Sequence, residues 1–375
     1  MKGLAIWAQI KCRSVMELYR QMARALDVPL IVPVWHEKPL GADIRKDVGF
    51  KNDEFSDIPS VTIGDDYQKG VELIKSYRDW RHIFCVYQGA PVFCRLIIEA
   101  KRRTGKVGVM SEAPCNMSNG IRGFAKEFYL RFVLGRRLRE VTTCADFFVN
   151  YSGDDDHYLR SIGWAREKVI PFGYFPPPIP DSCFRPRDAK HAPFVILSSG
   201  IMTWHRGVDI LVEALRLLSS RGVAYRAVIT QDGPLCERVK VKACRFGLPI
   251  EFTGFVPLDR LIRLYETCSV YVGAGRHEPW GMRLNDVLNC GAPLVVSRGM
   301  GGAKMVDDYG CGATFQAGNA RQLADILEKM IQDKEYYVKI LEKTACAGRA
   351  IKPEIQAQKL VEKIGSVVPD WFGEN

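Results

Sequence analysis

A chain of 375 residues is too long for one ordinary core and comfortable for two domains. Its composition, 47% apolar and 26% charged, is that of an ordinary soluble protein, with no low-complexity tract and no internal repeat. The formal charge of +10 suits an anionic partner: nucleic acid, sugar nucleotide or anionic lipid. No stretch approaches 18 apolar residues, which excludes a membrane-spanning helix. The first apolar run is broken by Gln9 and Lys11, too short for the core of a secretory signal, so a cytoplasmic protein is expected. The twelve cysteines are scattered singly, with no CxxC pair and no HExxH. They read as reduced thiols, mostly small core residues, and no metal site is expected.

In chain order, LAIWA (4–8) reads as a buried strand, followed by an amphipathic helix over 14–26. Strands are predicted at 29–35, 82–87, 106–111 and 147–152, with helical patterns at 67–77, 92–103, 121–141 and 154–162. Strand alternating with helix is the signature of a parallel, doubly wound sheet. The proline-rich segment 173–193 cannot continue a helix or donate to a ladder and reads as a semi-rigid linker. A second alternation follows, with strands at 194–200, 224–230, 250–255, 270–274 and 292–297. Its helices are expected at 208–222, 235–246, 258–267, 281–290, 304–308 and 320–331. One amphipathic helix, 352–368, ends the pattern. The expected divisions are 1–172, the linker 173–193, 194–350, and a C-terminal segment 351–375 that crosses back to the first domain.

The sharpest chemical signal is RHEPWGMRLNDVLNCGAPLVVS, 276–297. Glu278 lies in the loop after a strand, and Gly281 and Met282 stand where a helix begins. Unpaired N–H groups there, with the helix dipole, suit a diphosphate. Asp286 follows Glu278 by eight positions. Two carboxylates flanking such a helix start can accept hydrogen bonds from sugar hydroxyls on both sides of the diphosphate. A capped surface helix with incidental acids is the competing reading.

The segment resembles the E-x7-E motif of GT4-type retaining glycosyltransferases. That resemblance implies a contact from Glu278 to the transferred sugar and from Asp286 to the nucleotide ribose. The second acid here is Asp, one methylene shorter than the motif's Glu. SSGIMTWHRGVDILVEAL (198–215) resembles the family's G-R-x4-K-G element: Gly200 takes the place of its first glycine and Arg206 that of the lysine on the diphosphate. Ile201 stands where the family has arginine. QDGPL (231–235) resembles the turn after the third strand. FTGFVP (252–257) resembles the loop whose backbone reads the base, here Gly254 and Phe255. SRGMGGAKMVDD (297–308) resembles the glycine loop beside the sugar, with Gly301 and Gly302 giving close backbone approach, and Met305 where an acid is usual. The resemblance covers about 194–332 strongly and 1–172 weakly.

It implies an α/β protein of the GT-B fold, two Rossmann-like doubly wound domains facing a central cleft. The C-terminal domain would bind the nucleoside-diphosphate sugar and the N-terminal domain the acceptor, a glycan or lipid-linked hydroxyl, with no metal cofactor. The implied reaction is retaining transfer through a front-face, oxocarbenium-like transition state, in cell-envelope polysaccharide synthesis. Two alternatives stand beside it: a non-catalytic GT-B subunit with a degenerate donor site, and a sugar-nucleotide epimerase on the same fold. No recognised nucleic-acid module accompanies the basic charge.

On the acceptor side, Ser111 and Glu112 end a strand, and Gln88 and Gly89 lie in another strand-end loop. Glu112 reads either as a contact to the acceptor hydroxyl, acting as a base, or as a helix N-cap. The run Gly153-Asp154-Asp155-Asp156-His157 reads as acids capping a helix start rather than as a metal motif. In the helix 121–141, Phe124, Phe128 and Phe132 recur every four residues, and Arg131, Arg136, Arg137 and Arg139 crowd its end. The aromatics favour a core helix with a basic solvent face. The alternative is an interfacial helix meeting anionic headgroups at the inner face of a membrane.

Overall fold

The computed structural model describes residues 1–36, 55–85, 87–88, 90–118, 120–180, 182–187 and 193–373. The chain divides into two compact units, one of Met1–Pro177 with Lys352–Asn375, the other of Pro178–Ile351.

Unit 1 is built on seven parallel strands: β1 (Leu4–Trp7), β2 (Leu30–Val34), β3 (Ser60–Thr62), β4 (Arg81–Phe84), β5 (Val107–Ser111), β6 (Phe147–Asn150) and β7 (Val169–Pro171). Their order is β3-β2-β1-β4-β5-β6-β7. The inner strands are buried throughout, as covered parallel strands must be, which is why they read as unbroken apolar runs. Around them lie α1 (Arg13–Ala25), α2 (Tyr67–Ser76), α3 (Pro91–Thr104), α4 (Gly120–Phe128), α5 (Leu134–Cys144) and α6 (His157–Ser161). Trp7 stacks on Phe84 at 4.9 Å in the core. His82, wholly buried on β4, accepts at Nδ1 from Trp7 Nε1 (3.0 Å) and so donates from Nε2 to the Tyr77 carbonyl (3.0 Å). Burial pushes its pKa down to about 4.

Unit 2 holds six parallel strands, β8 (Val195–Ser199), β9 (Arg226–Thr230), β10 (Ile250–Gly254), β11 (Val270–Gly273), β12 (Leu294–Ser297) and β13 (Gly312–Phe315), in the order β10-β9-β8-β11-β12-β13. Its helices are α7 (Val208–Ser220), α8 (Cys236–Arg245), α9 (Leu258–Thr267), α10 (Arg283–Asn289), α11 (Ala303–Tyr309), α12 (Ala320–Gln332) and α13 (Lys334–Ala350). The last helix, α14 (Pro353–Val367), belongs to unit 1, where it packs on α1. Beyond it Trp371 is fully buried, edge-on to Phe147 at 4.9 Å, and its carbonyl accepts from Arg81 Nε (2.5 Å).

Several expectations change. The described residues of the segment 173–193, expected as a semi-rigid linker, pack on each unit in turn. Phe175 is buried edge-on to Phe172 in unit 1. Farther along, Cys183 N donates to Glu266 (2.8 Å), and Arg187 donates to the carbonyls of Cys268 (2.9 Å) and Cys290 (2.8 Å) in unit 2. All twelve cysteines are free thiols, but Cys183, Cys244 and Cys346 are exposed rather than core residues.

The helix expected at 121–141 is α4 and α5 joined by a π turn, Tyr129–Val133. Its aromatics do not enter the core. Ile121 is 90% exposed and Phe124 78%, and Phe128 and Phe132 are also exposed, while Leu130, Leu134, Leu138 and Val141 make the buried face. Ile121, Phe124 and Phe128 precede the π turn and are already exposed on α4, so the four-residue repeat marks an apolar face that no described element covers. Among the described residues no helix is long and apolar enough to cross a membrane.

Candidate active site

Strands β8 and β11 are neighbours, with Ile196 opposite Val270 and Leu197 opposite Tyr271. They are the pair at which the strand order of unit 2 reverses. Loops leaving two such strands diverge to opposite sides of the sheet and leave a crevice at their carboxyl ends, the usual ligand position in open α/β sheets.

The loop after β8 runs through Gly200 to a 3-10 turn, Trp204–Arg206, and into α7. Gly207, at φ +69°, joins the turn to the helix, and a Cβ there would lie 2.0 Å from the Ala274 carbonyl oxygen. Only glycine lets this turn close against the end of β11. A second tie comes from Arg276. Its guanidinium binds both oxygens of Asp209 (2.8 and 2.7 Å) and the Trp204 carbonyl (2.8 Å), and its backbone N–H donates to His205 O (2.7 Å). Burial alone would raise the Asp209 carboxyl, but the bonds from Arg276 outweigh it and hold its pKa below the usual value. His205 is pushed the other way from protonation, first by burial and then by Arg206, so its pKa is also lowered.

These ties fix Arg206, whose Nη1 forms an ion pair with Glu278 Oε1 at 3.0 Å. The side chains are 32% and 13% exposed, so the pair opens to solvent on one side. Glu278 is held by its own backbone: its N–H donates to Gly299 O (2.9 Å) and its carbonyl accepts from Gly301 N (3.0 Å). The two residues singled out as cation and acid therefore come from different strands to one place.

Other donor-side residues fall differently. Helix α10 begins at Arg283, with Met282 as its N-cap rather than Gly281 within the first turn. The N–H groups of Gly281, Met282 and Arg283 find no acceptor among the described residues. Asp286 lies on the half-buried part of α10, one turn after Met282. Gly301 and Gly302 do not offer their N–H groups to a ligand, because they donate to Glu278 O and Trp280 O. The close approach that Gly302 permits is to the protein itself: a Cβ there would sit 2.5 Å from Leu284 and 2.7 Å from Trp280 O. Met305 is buried, with its sulfur 3.6 Å from Asn285 Nδ2, which leaves Asn285 Oδ1 to accept from Trp280 Nε1 (2.8 Å). An apolar thioether under this network replaces the expected acid without leaving a buried charge. Gly254 ends β10 and its carbonyl accepts from Gln231 N (2.6 Å), while Phe255 is exposed.

One basic side chain at this place carries no sequence-stated role. Arg283 points back toward the end of β8: a Cβ placed on Gly200 would lie 3.5 Å from Arg206 Nη1 and 3.6 Å from Arg283 Nη1. The signal was in the sequence, as the R of GMRLND, but its meaning depends on knowing that β8 and β11 are adjacent.

In unit 1, three of the four acceptor-side residues gather at the ends of β4 and β5. Gln88 Nε2 donates to the Glu112 carbonyl (3.0 Å) and to Tyr87 Oη (3.0 Å), and Ser111 ends β5. Gly89 lies outside the described residues. Glu112 caps no helix, since α4 starts only at Gly120, which removes that reading. Its side chain is exposed and faces the phenol of Tyr174, whose pKa is raised by burial first and by Glu112 second. Asp156 precedes α6 without capping it. Asp155 Oδ1 accepts from His157 N (3.2 Å) and Asp156 binds Arg160 (3.0 Å).

Residues 183–347 match the family model of the glycosyl transferases group 1. The matched segment, a little under half of the chain, is similar to the group 1 glycosyl transferases. A GDP-mannose-dependent alpha-(1-6)-phosphatidylinositol dimannoside mannosyltransferase of Mycobacterium tuberculosis is 38% identical over 120 residues, 31% of each chain. The chain thus spans under a third of the length of that curated relative. The putative colanic acid biosynthesis glycosyltransferase WcaL of Escherichia coli is 27% identical over 46% of this chain and 45% of its own. The solved structure of Anabaena Alr3699/HepE in complex with UDP matches 98% of this chain and 100% of that one, at TM-score 0.65 and 18% identity. Two parallel-sheet, Rossmann-like units in this order are the GT-B fold, and the matched segment contains β8 to β13 and the Arg206–Glu278 pair.

Proposed function

We propose that this chain is a retaining GT4-type glycosyltransferase that moves a sugar from a nucleoside diphosphate to a hydroxyl of a glycan or lipid-linked acceptor. The observation that carries the reading is the Arg206–Glu278 pair at the strand-order reversal of the segment similar to the group 1 glycosyl transferases. An arginine fork suits phosphate oxygens, and an anchored carboxylate beside it suits sugar hydroxyls. In the reaction the bond from the anomeric carbon to the β-phosphate oxygen breaks. The acceptor oxygen bonds to the same carbon on the same face, and the acceptor proton passes to the leaving diphosphate. Arg206 offsets the charge that builds on that diphosphate, so no metal ion is called for. Glu278 orients the sugar, Asp286 takes the ribose, and Gly254 and Phe255 border the base. Gln88, Ser111 and Glu112 contact the acceptor, with Glu112 accepting a hydrogen bond that orients the attacking hydroxyl. A cell-envelope polysaccharide is the proposed product class, in keeping with the colanic acid relative.

The exposed apolar face of α4 favours contact with the cytoplasmic surface of an anionic membrane. Ile121, Phe124, Phe128 and Phe132 lie outside, on a helical segment with Arg122, Lys126, Arg131, Arg136 and Arg137. Apolar residues with arginines and lysines beside them describe an interfacial helix. Flotation of the full chain with phosphatidylglycerol vesicles but not phosphatidylcholine vesicles is expected. Loss of flotation in Phe124→Ser/Phe132→Ser would support the face named, and failure of wild type to float would remove it.

The donor is identified by a thermal-shift panel of UDP, GDP, ADP, CDP and TDP with their sugar forms, without added metal. GDP-mannose comes first because the mycobacterial relative uses it. One nucleotide that raises the melting temperature by mass action, and fails to do so in Glu278→Ala or Arg206→Ala, is the expected result. No shift from any of them would move the reading to a non-catalytic subunit.

A further inference from the structure

Arg283 makes no hydrogen bond or ion pair with any described residue, although it lies in the field of Glu278, Asp286, Tyr265 and Tyr271. It is a half-buried residue of α10. Beneath it the phenols of Tyr265 and Tyr271 are spoken for by Ser199 Oγ (3.1 and 3.2 Å), and Tyr271 also donates to the Ser199 carbonyl (2.9 Å). A guanidinium brought out of water without an acceptor is costly, so such a group is ordinarily found with an anion. Its Nη1 and that of Arg206 meet at the same point over Gly200, at 3.6 and 3.5 Å from where a Cβ would be. Gly200, lacking that Cβ, keeps the volume between them open. The neighbouring Ile201 directs an alkyl side chain to solvent, 53% exposed, and contributes no charge.

Two guanidinium forks beside one glycine, with Glu278 bonded to Arg206 and Asp286 acting on Arg283, fit an occupant of more than one negative charge and several acceptor oxygens. We infer that Arg283 is a second cation for the donor diphosphate, acting with Arg206 on its phosphate oxygens and not on the base or sugar. The inference rests on the donor reading above and adds to it a residue and its target.

The test uses the full chain and calorimetric titration with the nucleoside diphosphate that gives the largest wild-type shift, its monophosphate, and inorganic pyrophosphate. Charge-assisted hydrogen bonds are worth about 1.5–3 kcal/mol, so Arg283→Ala is expected to weaken diphosphate binding about 10- to 100-fold. The monophosphate should lose less. Arg283→Lys should fall between, because a point charge replaces a fork, and it also serves if Arg283→Ala does not fold. Adding Ile201→Arg to Arg283→Ala should restore about tenfold, since it returns a cation to the same side of Gly200. Diphosphate binding within twofold of wild type in folded Arg283→Ala and Arg283→Lys overturns the inference. So does an equal loss of monophosphate and diphosphate, which would mean a general defect. If no nucleotide binds wild type, the donor reading fails by itself. Pyrophosphate binding that disappears in Arg283→Lys would then still support an anion site here, and its absence would overturn that as well.

Discussion

Replacing Glu278 by Gln separates the chemistry of the site from its stability. The change keeps shape and volume and removes the charge that pairs with Arg206 at 3.0 Å. Arg206 is about one-third exposed, so solvent screens the pair, and exposed pairs contribute only about 0–1 kcal/mol. The backbone anchors of Glu278, to Gly299 and Gly301, do not involve its carboxylate and stay in place. In a chain of this size, 1 kcal/mol moves the melting temperature by only about 2–4 °C. The donor reaction, in contrast, loses a charged group placed against the reacting sugar. Removal of one such preorganised interaction typically lowers kcat by about 10²- to 10³-fold. The assay is release of nucleoside diphosphate from the donor sugar identified by thermal shift, with and without acceptor, beside a melting curve of the same preparation. Activity within threefold of wild type would refute the role of Glu278. A fall in melting temperature above about 8 °C with a matching loss of activity would show that the pair is structural and that its exposure was misjudged.

Asp209→Asn should loosen Arg276, and with it the turn that carries Arg206. Partial burial of this pair suggests about 1–2 kcal/mol in urea unfolding and a several-fold rise in KM for the donor, and unchanged KM would argue against the tie. His82 predicts a pH dependence. Its folded pKa of about 4 lies below the ordinary value, so its contribution is present above about pH 6.5 and fades as the unfolded state takes up the proton. By pH 5 that amounts to about 2 kcal/mol, and His82→Gln should flatten the slope between pH 7.5 and 5 in urea unfolding, whereas an unchanged slope would assign it elsewhere. Trp371→Ala should cost about 3–5 kcal/mol in unit 1 and free the final helix to protease. Resistance equal to wild type would mean that Trp371 does not seal α14.

Much of this was legible in the sequence because parallel strands buried on both faces announce themselves as short apolar runs. β3, β7 and β13 were missed: β3 and β7 are three residues long, one with exposed ends and one ending in a proline, and β13 opens on a glycine and is only half-buried over most of its length. Glu278 and Arg206 were legible through the resemblance of their segments to the E-x7-E and G-R-x4-K-G motifs, and the structure brings the two side chains together. Arg283 was not, because it stands between the two acids in sequence at the start of a short helix, and its neighbouring glycine is 83 positions away. Phe124, Phe128 and Phe132 misled for a related reason. Periodicity shows that a helix has an apolar face, but not whether any other element covers it.

The return of α14 to unit 1 has a consequence for how the molecule is made. The segment that buries Trp371 is separated from the first 177 residues by all of unit 2, Pro178–Ile351. At translation rates of about 5–20 residues per second, that interval takes about 10–35 s. During it unit 2 can complete its own sheet, while α1 and β7 wait for the helix that packs on them and Phe147 waits for Trp371. The protein's apolar surface is therefore open longest at its beginning. A chain stopped before Lys352 would carry a first unit that lacks both the helix packed on α1 and the tryptophan packed on Phe147.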